Sequence, residues 1–142
     1  MGMTGLRSFD QSLVTTKQWL KDLMAELSTD DEELAYHAIR AVLHALRDRM
    51  RIDDAVEFGA QLPMLLRGVY YEGWDPSDKP EKIRNLELFY EKVDKELRPR
   101  DVNPQRACIG VFRVLENHMS PGAINDLKST LPHVLKEIWP VE

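Results

Sequence analysis

Several residue types and patterns are scarce in this 142-residue chain, and each scarcity removes a class of protein. Cys108 is the single cysteine, so an intramolecular disulfide is excluded, and we expect a buried thiol that behaves as a small apolar side chain. No run of about 18 apolar residues occurs, so no membrane span is predicted. The N-terminus carries no charged region followed by an apolar stretch, so no secretory signal is predicted and a cytoplasmic location is expected.

Positive charge and cofactor motifs are scarce as well. The net charge is −5, whereas proteins that bind nucleic acid through its phosphates are generally basic, and this disfavours a nucleic-acid partner. The chain has no Gly-x-Gly-x-x-Gly, no P-loop and no nucleophile motif, so no cofactor is predicted. An apolar content of 43% suffices for one core, and we expect a single domain over residues 1–142.

The chain contains two copies of one pattern. Sliding it by 69 residues places Leu62-Pro63 on Leu131-Pro132, and seven of the 33 positions from Ala38 to Tyr70 become identical, against roughly two expected from ordinary composition. The matches recur at helical spacing. We therefore predict internal repeats over residues 10–74 and 80–140, joined by a loop at about 72–80 that contains glycine and two prolines.

Helical periodicity runs through both copies and predicts an all-α fold. Apolar residues spaced three and four apart form one stripe over Leu13–Leu27 and another over Ile83–Leu97. Long helices are predicted over Glu32–Met50 and Pro104–Met119, the second with Asn103 as its N-cap. Short helices are predicted from Asp54, where Glu57 completes a capping box, and from Ser120-Pro121, each ending at Leu-Pro.

The same prolines can begin a fourth helix in each copy, over Pro63–Tyr71 and Pro132–Trp139. Alternatively, the third and fourth helices of each copy form one kinked helix. The predicted fold is a compact helical bundle of two tandem three-to-four-helix repeats, and we expect a pseudo-two-fold axis to relate them because each half is marginal in size alone.

The motifs around the first Leu-Pro resemble a known family. They are Ala41-Val42-Leu43, Leu46, Gln61-Leu62-Pro63, Leu65-Leu66-Arg67-Gly68, Tyr70-Tyr71 and Gly73-Trp74. Asn85, Glu87, Phe89 and the second Leu-Pro fit the same pattern, which is similar to the bacterial family catalogued as domain of unknown function 2267. The resemblance covers Leu13 to Pro140. It implies a small, duplicated, all-helical protein, and it implies no reaction, ligand or catalytic residue.

One set of residues has the chemistry of a metal or acid–base site. Glu33, His37, His44 and Asp48 lie along one side of the first long helix. The two histidines are seven residues apart, about 10 Å along the axis, so one ion cannot bind both. The stripe lies opposite the apolar face, and a solvent-exposed face with local charge pairs is the alternative that we favour. No metal site is predicted.

Arginines form two clusters near the ends of predicted helices. One comprises Arg47, Arg49 and Arg51, and the other Arg98, Arg100 and Arg106. They form either a solvated surface, which aspartates interrupt, or a basic patch that binds phosphate or a partner.

The fourth helix of the first copy carries an unusual outer face. Leu62, Leu65, Leu66, Val69 and Tyr70 are predicted to face the core, which leaves Met64, Gly68 and Tyr71 on the opposite side. We expect Gly68 to open room beside Tyr71. The corresponding positions of the second copy begin with the polar His133 and Glu137, so this face is either an interface of the first copy or additional core.

The predicted function is a non-enzymatic helical module that binds a partner protein or itself. Its surface would comprise Met64, Gly68, Tyr71 and Trp74 with Arg67, because exposed aromatic, methionine and arginine side chains are typical of interface centres. Two alternatives stay open: phosphate or nucleic-acid binding through the arginine clusters, and a metal-dependent hydrolase that uses the Glu33 stripe.

Overall fold

The computed structural model describes residues 3–132, 136 and 139 of the chain. Within these residues the protein is all-helical, as the periodicity predicted, and contains no strand. Besides a short 3-10 helix at Pro76–Asp78, the helices are α1 (Arg7–Glu26), α2 (Glu32–Arg49), α3 (Ile52–Ala60), α4 (Met64–Tyr71), α5 (Leu86–Leu97), α6 (Pro104–His118) and α7 (Pro121–Thr130).

Side-chain caps explain where four of the helices begin. Asp31, Asn85, Asn103 and Ser120 accept hydrogen bonds from backbone N–H groups in the first turns of α2, α5, α6 and α7. These caps satisfy donors that have no partner within the helix. The sequence predicted the caps of α6 and α7, and the structure confirms both.

The predicted capping box of Asp54 and Glu57 is wrong. α3 begins two residues earlier, at Ile52, with Arg51 as an N-cap residue whose side chain makes no capping bond. Asp53 and Asp54 instead lie in the first turn, where negative charge is favourable near the helix N-terminus. Similarly, α5 begins at Leu86 rather than at Ile83.

α3 and α4 are two helices rather than one kinked helix. α3 ends at Ala60 and α4 begins at Met64, so Pro63 lies immediately before the second helix, where its missing N–H costs nothing. The corresponding helix predicted for Pro132–Trp139 lies largely outside the described residues.

α2 is the centre of the bundle. It packs against α1, α4, α5 and α6, and all eight residues from Ala41 to Asp48 are buried. The heptad stripes of α1 and α5 supply buried leucines and a valine to the same core, with Leu23, Val93 and Leu97 fully enclosed. α6 packs on α1, α5 and α7, and α3 contacts both α4 and α7. A helix buried on every side is normally apolar all round, so the polar residues within α2 require a structural explanation.

None of the described helices combines the length and apolar character that crossing a membrane requires.

Candidate functional site

Three polar residues in the C-terminal half of α2 are buried, and for His44 and Asp48 this contradicts the prediction of a solvent-exposed face. His44, Arg47 and Asp48 are only 4%, 4% and 6% exposed. The prediction failed because it compared them with the apolar stripe of α2 alone. Helices α4 and α5 cover the side that the pattern assigned to solvent.

Two of these residues cap the C-terminal end of α4. His44 Nε2 lies 2.7 Å from the Val69 carbonyl oxygen, and Arg47 Nη1 donates to the carbonyls of Tyr70, at 2.7 Å, and Glu72, at 2.9 Å. The last carbonyls of a helix have no partner within the helix and carry partial negative charge. The polar side chains of α2 therefore fix where α4 ends and how it sits on the core.

Asp48 balances the positive charge of this buried group. Its carboxylate accepts a hydrogen bond from Arg47 Nε at 2.7 Å and lies 3.0 Å from Lys92 Nζ of α5, which is also 3.0 Å from Glu81. Burial opposes ionisation of Asp48, but hydrogen bonds from Arg47 and Lys92 outweigh it and hold its pKa below the ordinary value. Asp48 is thus a paired structural anion.

A second group of charges joins α2 to α5 and to the end of α4. Arg40 contacts Glu72 at 2.6 Å and Glu96 at 3.2 Å, and His44 Nδ1 lies 2.9 Å from the Glu96 carboxylate. The hydrogen bond from Arg40 lowers the pKa of Glu72. Each ring nitrogen of His44 therefore lies within hydrogen-bond distance of an oxygen atom of a neighbouring helix.

The four residues of the metal hypothesis point to different partners. Glu33 is exposed, and His37 Nε2 lies 2.8 Å from an Arg100 guanidinium nitrogen. Burial and the positive charge of Arg100 lower the pKa of His37. Asp48 and His44 are engaged as described above. In the part of the chain that the structure describes, no three histidine, cysteine or carboxylate side chains are grouped as metal ligands.

The six arginines do not form one basic surface. Arg47 is buried, Arg49 donates to the Thr130 carbonyl at 2.7 Å, and Arg100 contacts His37. Arg51, Arg98 and Arg106 are exposed, and the first two pair with Asp53 and Asp94.

A shallow cleft near Arg49 has the wrong charge for a phosphate ligand. It lies between α3 and α7, has a volume of about 210 Å³, and includes the carboxylates of Asp54, Glu57 and Asp126 in its lining. Three carboxylates repel an anion. The cleft therefore offers no support for the phosphate-binding alternative.

The outer side of α4 is the remaining candidate, and its N-terminal half is open. Met64 is 51% exposed and Leu65 is 41% exposed, so the prediction that Leu65 faces the core is wrong. Gly68 is exposed too, and a Cβ atom built on it would meet nothing within 4 Å. We call Met64, Leu65, Gly68 and the outer edge of the half-buried Tyr71 the α4 face.

Tyr71 leans toward α3, and a different glycine provides its space. Its hydroxyl donates to the Val56 carbonyl at 3.3 Å, and its ring lies over Gly59, where an added Cβ would come within 2.5 Å of the Tyr71 oxygen. Gly68, which was expected to open this room, does not contact the ring. Trp74 packs on the other side, with ring centroids 5.6 Å apart, and is half-buried.

Arg67 anchors the preceding helix. Its guanidinium donates to the carbonyls of Gly59, Ala60 and Leu62 at the end of α3, at distances of 3.1, 3.3 and 3.0 Å. This is the same capping of carbonyls that Arg47 provides to α4. Arg67 therefore positions α4 against α3, and its charge is already engaged within the chain.

Exposed apolar residues of the neighbouring helices were missed by the sequence analysis. The Leu65 N–H donates to Ser12 Oγ at 3.2 Å, which fixes α1 beside α4, and Phe9, one turn earlier on α1, is 48% exposed. Val56 of α3, whose carbonyl binds Tyr71, is also 48% exposed. The sequence could have indicated each of these residues, because each is an apolar residue outside the apolar stripe that faces the core.

Comparison with known proteins gives a family match over most of the chain. The model of one family, described as an uncharacterized conserved protein (DUF2267), matches residues 16–138. A comparison with curated proteins gives no match.

Proposed function

We propose, starting from the finding that the chain belongs to the DUF2267 family, that it is a helical protein-interaction module and that the α4 face is its docking surface. One observation carries the proposal: Gly68 lies within a helix, in open space, one turn after the exposed apolar side chains of Met64 and Leu65. Glycine inside a helix costs about 1 kcal/mol relative to alanine. Packing within the chain does not require it here, whereas a protein backbone that approaches α4 closely would.

The surroundings of Gly68 fit such an approach. Met64 and Leu65 precede it by one turn, and the exposed Phe9 and Val56 extend the apolar surface onto α1 and α3. Interface centres are depleted of charge and enriched in methionine and aromatic residues. His44 and Arg47 of α2 bind the carbonyls at the C-terminal end of α4, and Arg67 ties α4 to the end of α3. These contacts fix the position of the helix that carries the face.

Site-specific photo-crosslinking tests this proposal. Replacing Gly68 by p-benzoylphenylalanine puts a reactive ketone at the centre of the α4 face, and replacing Asn125, an exposed residue of α7, is the matched control. Irradiation in cells that express the protein is expected to give a defined protein adduct from position 68 and none from position 125. If neither position gives an adduct, or both give the same smear, the α4 face is not a docking surface.

We further infer that the two halves of the chain are structural repeats related by a pseudo-two-fold axis. Two contacts between the halves support this. Arg113 of α6 pairs with Glu26 of α1 at 3.2 Å, and His44 of α2 lies 2.9 Å from Glu96 of α5. The 69-residue register places Arg113 on His44, and the 70-residue register of the α1 and α5 stripes places Glu26 on Glu96.

A second pair of contacts follows the same register. Arg47 binds the carbonyl of Tyr70, and Glu116, 69 residues after Arg47, accepts a hydrogen bond from the indole of Trp139, 69 residues after Tyr70. The helix pairs α2 with α6 and α3 with α7, which are equivalent in this register, also contact each other. Such contacts are expected next to a two-fold axis. His133 and Glu137, with which the α4 face was compared, lie outside the described residues.

A further inference from the structure

We propose that the partner of the α4 face is a second copy of this chain, with the two α4 helices crossing antiparallel so that Met64 of each copy packs over Gly68 of the other. This inference rests on the proposed function, because it identifies the occupant of the same surface. It follows from the shape and charge of the face.

The face is complementary to itself in shape. Met64 and Gly68 are four residues apart, so they lie one above the other on the same side of α4, a projection beside a recess. A two-fold axis perpendicular to α4 and passing between them brings each projection onto the recess of the other copy. A parallel arrangement would set Met64 against Met64 and leave the two recesses facing each other, so the shape selects the antiparallel one.

The charge distribution permits contact between identical copies. The chain carries a net charge of −5, so two copies repel each other at long range. However, the α4 face contains no charged residue, and the two charged residues nearest to it in sequence are paired within the chain: Glu72 with Arg40, and Arg67 with carbonyls at the end of α3. Like charges therefore do not meet at the centre of the contact.

The area requirement defines which helices take part. A stable dimer buries about 800 Å² on each subunit, some 20 residues or more, and the eight residues of α4 are too few. Phe9 of α1 and Val56 of α3 are each 48% exposed, and both of these helices contact α4. The contact that we propose spans α1, α4 and α3 and uses these side chains.

The first test measures the mass of the purified full chain. Light scattering and sedimentation over a concentration series are expected to show a monomer–dimer equilibrium for the unaltered chain. Gly68→Arg should raise the dissociation constant at least 100-fold, while Asn125→Arg, which adds the same charge on α7, leaves it unchanged. Because a Cβ atom at position 68 meets nothing within 4 Å, Gly68→Arg should keep its helical circular dichroism, and that spectrum separates a lost contact from a lost fold.

The second test reads the orientation. Cys108 is buried, so a new surface cysteine is the only thiol that reacts in the folded protein. A mixture of Met64→Cys and Gly68→Cys chains is expected to form a mixed disulfide faster than either forms one with Asn125→Cys. Preferential formation of the 68–68 disulfide over the mixed one would overturn the antiparallel register.

The outcomes separate this inference from the proposed function. A dimer that Gly68→Arg abolishes, together with a photo-adduct of twice the chain mass, supports both. A chain that is monomeric at all concentrations, but whose position 68 crosslinks to a different protein, overturns self-association and leaves the α4 face as a docking surface. A dimer that Gly68→Arg does not weaken overturns this inference, and the absence of a specific adduct overturns the proposed function.

Discussion

Gly59 in α3 and Gly68 in α4 should respond in opposite directions to substitution by alanine. Both are helical, so alanine removes backbone entropy from the unfolded chain and is worth about 0.5–1 kcal/mol at each site. At Gly68 the added methyl group meets nothing within 4 Å. We therefore expect Gly68→Ala to raise the free energy of unfolding by about 0.5–1 kcal/mol.

At Gly59 the same methyl group has no space. It would come within 2.5 Å of the Tyr71 hydroxyl oxygen and 2.9 Å of the buried ring of Tyr70. Overpacking of this kind costs about 1–3 kcal/mol, and the upper half of that range applies because two rings must move. After the gain in helix propensity, Gly59→Ala should lower the free energy of unfolding by about 1–2.5 kcal/mol. Because that gain is the same at both sites, the two variants differ by the overpacking cost of about 2–3 kcal/mol.

Urea unfolding at low protein concentration, where self-association is absent, measures this difference. The midpoints should shift in opposite directions while the slope with denaturant stays constant, and the melting temperatures should separate by roughly 6–10 °C. Tyr71→Phe removes the closest atom from the Gly59 contact, so adding it to Gly59→Ala should recover part of the loss. If Gly59→Ala stabilises the protein as Gly68→Ala does, the packing argument is refuted.

Three further predictions concern the buried polar group, a helix cap and the thiol. Asp48→Asn should lower the free energy of unfolding by about 3 kcal/mol, because it leaves the buried guanidinium of Arg47 without its anion; an effect below about 1 kcal/mol would contradict the pairing. Burial of Asp48 opposes its ionisation, but the paired cations hold its pKa below the ordinary value of about 3.9. The ionised carboxylate therefore stabilises the fold fully above about pH 3.9, and this stabilisation is lost as the pH falls through the folded-state pKa. Asp48→Asn should therefore flatten the acid side of the stability–pH curve measured by urea titration. Ser120→Ala should cost about 1 kcal/mol of unfolding free energy, whereas Ser129→Ala, which removes no cap, should stay within about 0.5 kcal/mol; equal effects would contradict the capping role. Cys108 is buried, and burial raises the pKa of its thiol. It should therefore react with a thiol reagent in urea and not in native buffer, and rapid labelling of the native protein would show that α6 opens.

Much of the fold could be predicted from the sequence because helices are local. The apolar stripes of α1 and α5 and the long α2 and α6 follow from spacing within about 20 residues, and the caps Asn103 and Ser120 act on N–H groups two and three residues away. The prediction failed at the start of α3, where the aspartates serve the helix dipole and not a side-chain cap.

The candidate site was predicted only in part. Met64 and Gly68 lie opposite the buried Leu66 and Tyr70, as the helical period predicted. Whether that side of α4 is exposed or core was left open by the sequence, and the structure shows both residues exposed. The exposure of Leu65 depends on where α1 packs against α4. The apolar spacing within α4 carries no information about the position of another helix.

By itself the sequence determined the helices, the caps of α6 and α7 and the family, since each depends on residue spacing along the chain. Tertiary structure alone decided the role of the polar residues: His44 and Arg47 hold the end of α4, Arg67 holds the end of α3, and Gly59 admits Tyr71. The physical reason is that each of these side chains acts on a group of another helix. The carbonyls that His44 and Arg47 bind are up to 25 residues away in sequence, and the ring that needs the space at Gly59 comes from α4. Only packing brings those groups to the side chains that satisfy them.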